Sequence, residues 1–223
     1  MSNPIRPTFD QELHALQDNL LRMGSMLETA LARAMQALTA RDIGLAEQVV
    51  ADDDKINALR YEIEEECFMA LATQQPTARD LRAVMAAFSM AADLERMADH
   101  AEGIATIVVR MGDEPLLKPL IDVPRMADTC HDMVREALDA YVRGDEAKAR
   151  AVAERDDIID GLYQQVFREL LSFMLEDPRT ITRALYLLFI AHNLERIGDR
   201  AVNLAERVIF VTSGELKEFK SSV

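Results

Sequence analysis

Leu94-Glu95-Arg96-Met97-Ala98-Asp99 returns one hundred residues later as Leu194-Glu195-Arg196-Ile197-Gly198-Asp199. Glu and Asp four residues apart lie about one helical turn apart on the same face, so each string sets two like charges side by side. Exposed and unpaired, they repel by roughly 0.2–0.5 kcal/mol. One such pair means little, because 39 acids in 223 residues give roughly seven by chance. The information lies in the whole string, duplicated at equivalent places in a helical pattern.

Working outward, Leu13, Leu16, Leu20, Met23, Leu27 and Leu31 recur every three or four residues and predict an amphipathic helix from about Asp10 to Thr39. Asp42 is placed to cap a second helix that runs to about Thr73, and Gln74-Gln75-Pro76 ends it before a third, from about Ala78 to Val109. Gly112, Pro115, Pro119 and Pro124 mark 111–124 as a linker. The rhythm then repeats: about Arg125 to Arg143, Asp145 to Glu176 behind Gly144, and Arg179 to Phe210 behind Asp177-Pro178. The expected fold is all-α, two tandem three-helix bundles related by internal duplication, over 9–110 and 125–212, with a C-terminal tail at 213–223.

Composition agrees, with 8 Gly, 7 Pro and no Trp. The longest apolar run, Ala184 to Ala191, falls far short of the roughly 20 residues that span a bilayer, so no membrane insertion is expected. Residues 1–7 contain no apolar stretch resembling a secretory signal, which points to the cytoplasm. Cys67 and Cys130 form no metal or redox motif and read as reduced core residues. A net charge of −14 argues against nucleic acid and anionic lipid as partners, and in favour of cations or a basic protein surface.

The duplication extends beyond the string. Asp42 precedes Asp53 by the same interval as Asp145 precedes Asp156, and Asp53 with Asn57 is repeated as Asp156 with Asp160. Counting from the hairpin turns places Asp53 and Asn57 level with Glu95 and Asp99, and Asp156 and Asp160 level with Glu195 and Asp199. If their faces converge, each unit gathers up to four side-chain oxygens, and like charges brought together call for a cation. Hard oxygen donors without thiolate suit Mg²⁺, Mn²⁺ or iron. Asn203 extends the second stripe, with Glu206 close by; the first unit has Gly103 at the equivalent place, with Glu102 nearest. The competing reading is structural: Arg96 and Arg196, or Arg60, Arg82 and Arg183, neutralise the same carboxylates as ion pairs between helices.

These residues carry a resemblance. Gln74-Gln75-Pro76-Thr77-Ala78-Arg79-Asp80-Leu81-Arg82, Asp93 through Asp99, and Glu195 through Asp199 continuing to Asn203 and Glu206-Arg207-Val208-Ile209-Phe210 look like the signature of the PhoU family, with Met23-Gly24 and Glu28 also fitting. The resemblance spans about residues 9 to 215. It implies a cytoplasmic, usually dimeric negative regulator of phosphate uptake and of the phosphate-starvation response, coupling a phosphate-specific ABC transporter to a sensor histidine kinase. It also implies metal on Glu95 with Asp99 and on Glu195 with Asp199. Two positions depart from the family pattern: Arg200 stands where His often follows the second Asp, and Gly103 where Asn would complete the first stripe.

Other readings carry less. A ferritin-like di-metal oxidase needs Glu-x-x-His, which this chain lacks. A helical metal phosphohydrolase built on His100, His131-Asp132 and Asp199 ignores the duplication; the remaining alternative is a metal-free helical scaffold in which the repeated acids are salt-bridged, which a metal analysis of chelator-free protein distinguishes. Met23, Met26, Met35, Met69, Met85 and Met90 read mainly as core filling, and Glu62, Glu64, Glu65 and Glu66 as a solvated helix face. The expectation is a helical adaptor that acts by binding, without catalysis.

Overall fold

The structure is a computed structural model and describes residues 7–215, 218 and 219. The N-terminal stretch read for a signal and the rest of the tail lie outside those residues. Among the described residues seven α-helices follow one another: α1 (Pro7–Ala40), α2 (Ile43–Gln74), α3 (Arg79–Met111), α4 (Asp122–Arg143), α5 (Glu146–Glu154), α6 (Asp156–Glu176) and α7 (Ile181–Ser213), with a 3-10 turn at Pro178–Thr180. No strand occurs among the described residues.

Both predicted caps are present. The Asp42 carboxylate accepts from Leu45 N at 2.9 Å and that of Asp145 from Lys148 N at 3.0 Å, each satisfying a first-turn N–H that the helix leaves open. Gly144 ends α4 with φ 64°, a left-handed conformation that costs glycine no strain. On α1 the predicted stripe of Leu16, Leu20, Met23, Leu27 and Leu31 is buried; Leu27→Ala there would cost on the order of 2–5 kcal/mol. Both cysteines are buried free thiols. Burial raises the Cys67 thiol to about 12 and pushes Cys130 up as well.

The structure corrects several sequence readings. The expected linker is shorter than 111–124, because α4 begins at Asp122: Pro124 lies in the first turn, where no N–H is required of it. The single helix expected from Asp145 to Glu176 is two helices. The chain closes short turns at Arg155 N to Val152 O (3.1 Å) and Ile158 N to Arg155 O (3.0 Å) before α6 starts. That restart puts Asp156 and Asp157 in a first helical turn, where the helix dipole favours negative charge, whereas the equivalent Asp53 and Asp54 lie within an unbroken α2. Of the methionines read as filling, Met23 and Met90 are buried, but Met69 and Met85 are exposed.

Helix contacts define two layers. α2, α3, α7 and α6 lie side by side in that order; α1 packs on α2 and α3, α4 packs on α7, α5 and α6, and α1 touches α4. Each repeat is thus a three-helix bundle, the second with its middle helix divided. The α3–α7 seam is antiparallel, since residue 93 meets 200 and residue 100 meets 193.

Candidate functional site

The outer face of the four-helix layer is the one turned away from α1 and α4. Along α3 the stripe Leu81, Met85, Phe88, Ala92, Glu95, Asp99 keeps the four-three spacing of one helix face. In the first repeat the predicted groups do come together. Asn57 donates to Asp53 Oδ2 at 2.8 Å, and Asp53 is raised to about 6, first by burial and then by Asp99, Glu102 and Glu95, with Asn57 opposing. Arginines answer the α3 acids: Arg60 donates to Glu95 Oε1 at 2.9 Å and to Glu64 at 2.8 Å, and Arg96 to Asp99 at 3.2 Å.

The second repeat gathers the same positions with a different balance. Asp156 is raised to about 7 by burial, then by Asp160, Asp199, Glu195 and Asp157. Its Oδ1 is buried and takes no hydrogen bond. Asp199 is also raised, by burial and then Glu195, with Arg196 opposing. Arg196 grips Glu195 with two bonds, 2.7 and 2.8 Å, and stands 3.0 Å from Asp199. Gly198 permits this approach of α6 to α7, because a Cβ there would sit 2.7 Å from Ile159 Cδ1 and 3.1 Å from Asp156 Oδ1. Asp156, Asp199, Asn203, Glu206 and Phe219 line a cleft of about 360 Å³. The Phe219 N–H donates to Glu206 Oε1 at 2.7 Å.

Of the arginines weighed as neutralisers, Arg60, Arg96 and Arg196 take that role. Arg82 instead lies beside Gly214, and Arg183 acts on Asp177. Asn203 does not simply extend the acidic stripe: its amide donates across the seam to Asp93 Oδ1 at 3.2 Å, alongside Arg200 at 2.9 Å. One hundred residues apart, Asn193 repeats the arrangement of Asp93, its Oδ1 accepting from His100 Nδ1 at 2.9 Å. Asn193 Oδ1 would also lie 3.2 Å from a Cβ on Gly103, so any side chain there requires Asn193 to shift by a few tenths of an ångström. Both departures, Arg200 and Gly103, therefore belong to the seam between repeats. Sequence reasoning missed Asp93, His100 and Asn193 as a set; the signal was the offset of one hundred that pairs Asp93 with Asn193, His100 with Arg200 and Gly103 with Asn203.

A resident cation can be tested against this geometry. Among the described residues no three His, Cys, Asp or Glu side chains already converge on one point as ligands. The chemistry fits nonetheless: Asp156 carries an unpaired buried oxygen, its neighbours are carboxylates, and each raises the other's proton affinity. The phosphohydrolase constellation does not assemble, because His131 faces Glu28 on α1 at 3.5 Å while His100 lies in the α3–α7 seam.

Comparison with known proteins agrees with the two-unit architecture. The PhoU domain family matches twice, at residues 20–108 and 123–208. The phosphate-specific transport system accessory protein PhoU homolog of Aquifex aeolicus is 38% identical over 206 residues, 92% of this chain and 93% of that protein. Its Zymomonas mobilis counterpart is 42% identical over 207 residues, 93% and 87% of the two chains. The crystal structure of PhoU from Pseudomonas aeruginosa superposes with a TM-score of 0.89 at 38% identity, covering 93% of this chain and all of that one. That of the phosphate transport system regulatory protein PhoU from Streptococcus pneumoniae does so at 0.89 and 31%, covering 95% of this chain and all of that one.

Proposed function

The chain belongs to the PhoU family, and from that membership we propose that it is a phosphate-transport accessory protein that restrains phosphate uptake and the phosphate-starvation response. It acts by binding, without catalysis, coupling a phosphate-specific ABC transporter, through its ATPase, to a sensor histidine kinase. It works in the cytoplasm as a homodimer; no helix among the described residues is long and apolar enough to cross a membrane. The observation that carries this reading is the family match in both repeats, joined to relatives named as accessory proteins of phosphate-specific transport. Deleting the gene should leave starvation genes expressed when phosphate is plentiful, and the protein should co-purify with kinase and transporter ATPase. Normal repression in the deletion strain, with no second gene copy, overturns the assignment.

The acids are proposed to hold divalent or trivalent cations, Mg²⁺, Mn²⁺ or iron: Asp156, Asp160, Glu195 and Asp199 in the second repeat, and Asp53, Asn57, Glu95 and Asp99 in the first. Such a cation supplies local positive charge and ties two helices together. Buried oxygens without a hydrogen bond support both sites, Asp156 Oδ1 in the second and Glu95 Oε2 in the first. Asp199→Ala should lower metal content and leave the chelated protein no less stable, because one repelling carboxylate is gone. If the acids are ion pairs only, there is no metal to lose and the variant melts lower in chelator.

A further inference from the structure

Between α1, α2 and α3 lies a cavity of about 200 Å³, walled by Met26, Ala30, Val49, Ile56 and Ala98. The duplication shows what takes the same place in the second repeat. Asp42 and Asp145 cap equivalent helices at an offset of 103, and the Arg33–Asp52 ion pair at the cavity recurs at that offset with its charges exchanged, as Glu136 with Arg155 at 3.1 Å. By that register Ala30 corresponds to Met133, whose longer side chain is fully buried in the second core. Along α3 and α7 the offset of one hundred matches Ala98 with Gly198. Gly198 lets Ile159 close on α7, where a Cβ would meet its Cδ1 at 2.7 Å; Ala98 carries that Cβ and holds Ile56, and α2 with it, off α3. Two small differences thus open the void: a methionine side chain that is missing and a methyl group that is added.

We propose that this cavity is a binding site for a small uncharged apolar molecule, aromatic or branched. Size sets the first limit. A cavity of roughly 150 Å³ lined by aliphatic and aromatic side chains admits benzene, so this larger one suits a ligand of about indole size. Charge sets the second. Three acids and two bases reach the cavity, and each is already engaged: Arg33 and Lys55 both donate to Asp52, at 2.6 and 2.5 Å, Asp53 accepts from Asn57 at 2.8 Å, and Glu102 from Thr106 at 2.7 Å. A charged ligand must break one of these contacts or stay unpaired beside apolar walls, whereas an uncharged one gains from the wall area it covers. It makes no demand on the carboxylates of the first cation site, so cavity and cation can be occupied together. Ser25 and Thr29 are exposed at the cavity's edge and mark the way in. A molecule seated there touches all three helices of the repeat and stabilises the packing it fits.

Indole serves as the probe, titrated in chelator, with affinity read by calorimetry and the methionine methyl groups observed by NMR. It should bind one molecule per chain with a Kd on the order of 0.1–1 mM and shift the Met26 methyl signal, assigned through Met26→Leu. Benzylamine and benzoate should bind at least about tenfold more weakly. Ala30→Met copies the second repeat and should abolish binding, with a thermal midpoint equal to or above that of the wild type, because it fills a void. Ala30→Ser leaves the space open and should bind as the wild type does. No binding of indole, an unmoved Met26 methyl, binding retained by Ala30→Met or lost in Ala30→Ser, or a lower midpoint in Ala30→Met overturns the proposal and leaves the cavity as a packing defect. A charged analogue that binds as tightly as indole overturns it too, since the site would then be ionic. These measurements are independent of metal content and of the phosphate phenotype, which the experiments above read separately.

Discussion

The two repeats carry the same acidic string on the same helix, yet surround it differently. In the first, the residues on α2 that face the string are Asp53, Asn57 and Arg60; in the second, on α6, they are Asp156, Asp160 and Tyr163. One unit thus places an amide and a guanidinium where the other places a carboxylate and a phenol. Arg60 bonds Glu95, whereas Tyr163 lies against His192, with ring centroids 6.2 Å apart. Over these facing positions on α2 and α6 alone the second repeat is two charges more negative, while Glu64 and Glu102 of the first repeat, matched by Phe167 and Val202 in the second, offset that difference. A duplicated motif therefore does not make duplicated chemistry: each site keeps one buried oxygen without a hydrogen bond, but Glu95 Oε2 in the first has Arg96 Nε 3.6 Å away, whereas Asp156 Oδ1 in the second sits among carboxylates.

The largest expected effect breaks the comparison at the seam. Asp93 is buried and holds both Arg200 and Asn203, while its counterpart Asn193 makes a neutral contact with His100. Asp93→Ala should cost about 2–3 kcal/mol in urea unfolding, since it strands a guanidinium that is still partly hydrated. Asn193→Ala should cost about 1 kcal/mol. Equal losses would show that the charged and neutral crossings do the same work.

Next comes the charge difference itself. Asp160→Asn makes the second site resemble the first and should weaken Mn²⁺ binding roughly tenfold by calorimetry; Asn57→Asp should strengthen the first site in return. Identical affinities in the two variants and the wild type would remove any role for these positions in cation binding.

Protonation sharpens the contrast further. Asp156 and Asp53 have raised proton affinities in the folded state, so the folded protein holds protons that the unfolded chain has released. Their contribution is therefore largest at low pH and is lost as pH rises, from about 4 to about 7 for Asp156 and to about 6 for Asp53. In chelator, stability should rise by on the order of 1 kcal/mol between pH 7.5 and 5.5. Asp156→Asn should flatten that slope, and Asp53→Asn should do so mainly below pH 6. A slope unchanged by Asp156→Asn would place the titrating group elsewhere.

The smallest effect tests why the first stripe lacks its asparagine. Gly103→Ala places a Cβ 3.2 Å from Asn193 Oδ1 and should cost up to about 1 kcal/mol, read as a small drop in thermal midpoint. Recovery of stability in Gly103→Ala combined with Asn193→Ala would locate the strain at that contact.

The sequence by itself determined the helices, their caps at Asp42 and Asp145, the twofold repeat and the level pairing of acids, because helical period and hairpin length are local quantities. It did not show the break at Arg155, which turns on where α6 can begin with Asp156 pressed against Gly198. Nor did it show that Arg200, Asn203 and Gly103 serve the seam. Those assignments depend on which face of α3 meets α7, and two helices of the same period can pack through several faces with little change in their own sequence signature. Only the tertiary packing chose one. In choosing it, the fold placed Asp93 beside Arg200 and left Asp156 Oδ1 buried without a hydrogen bond.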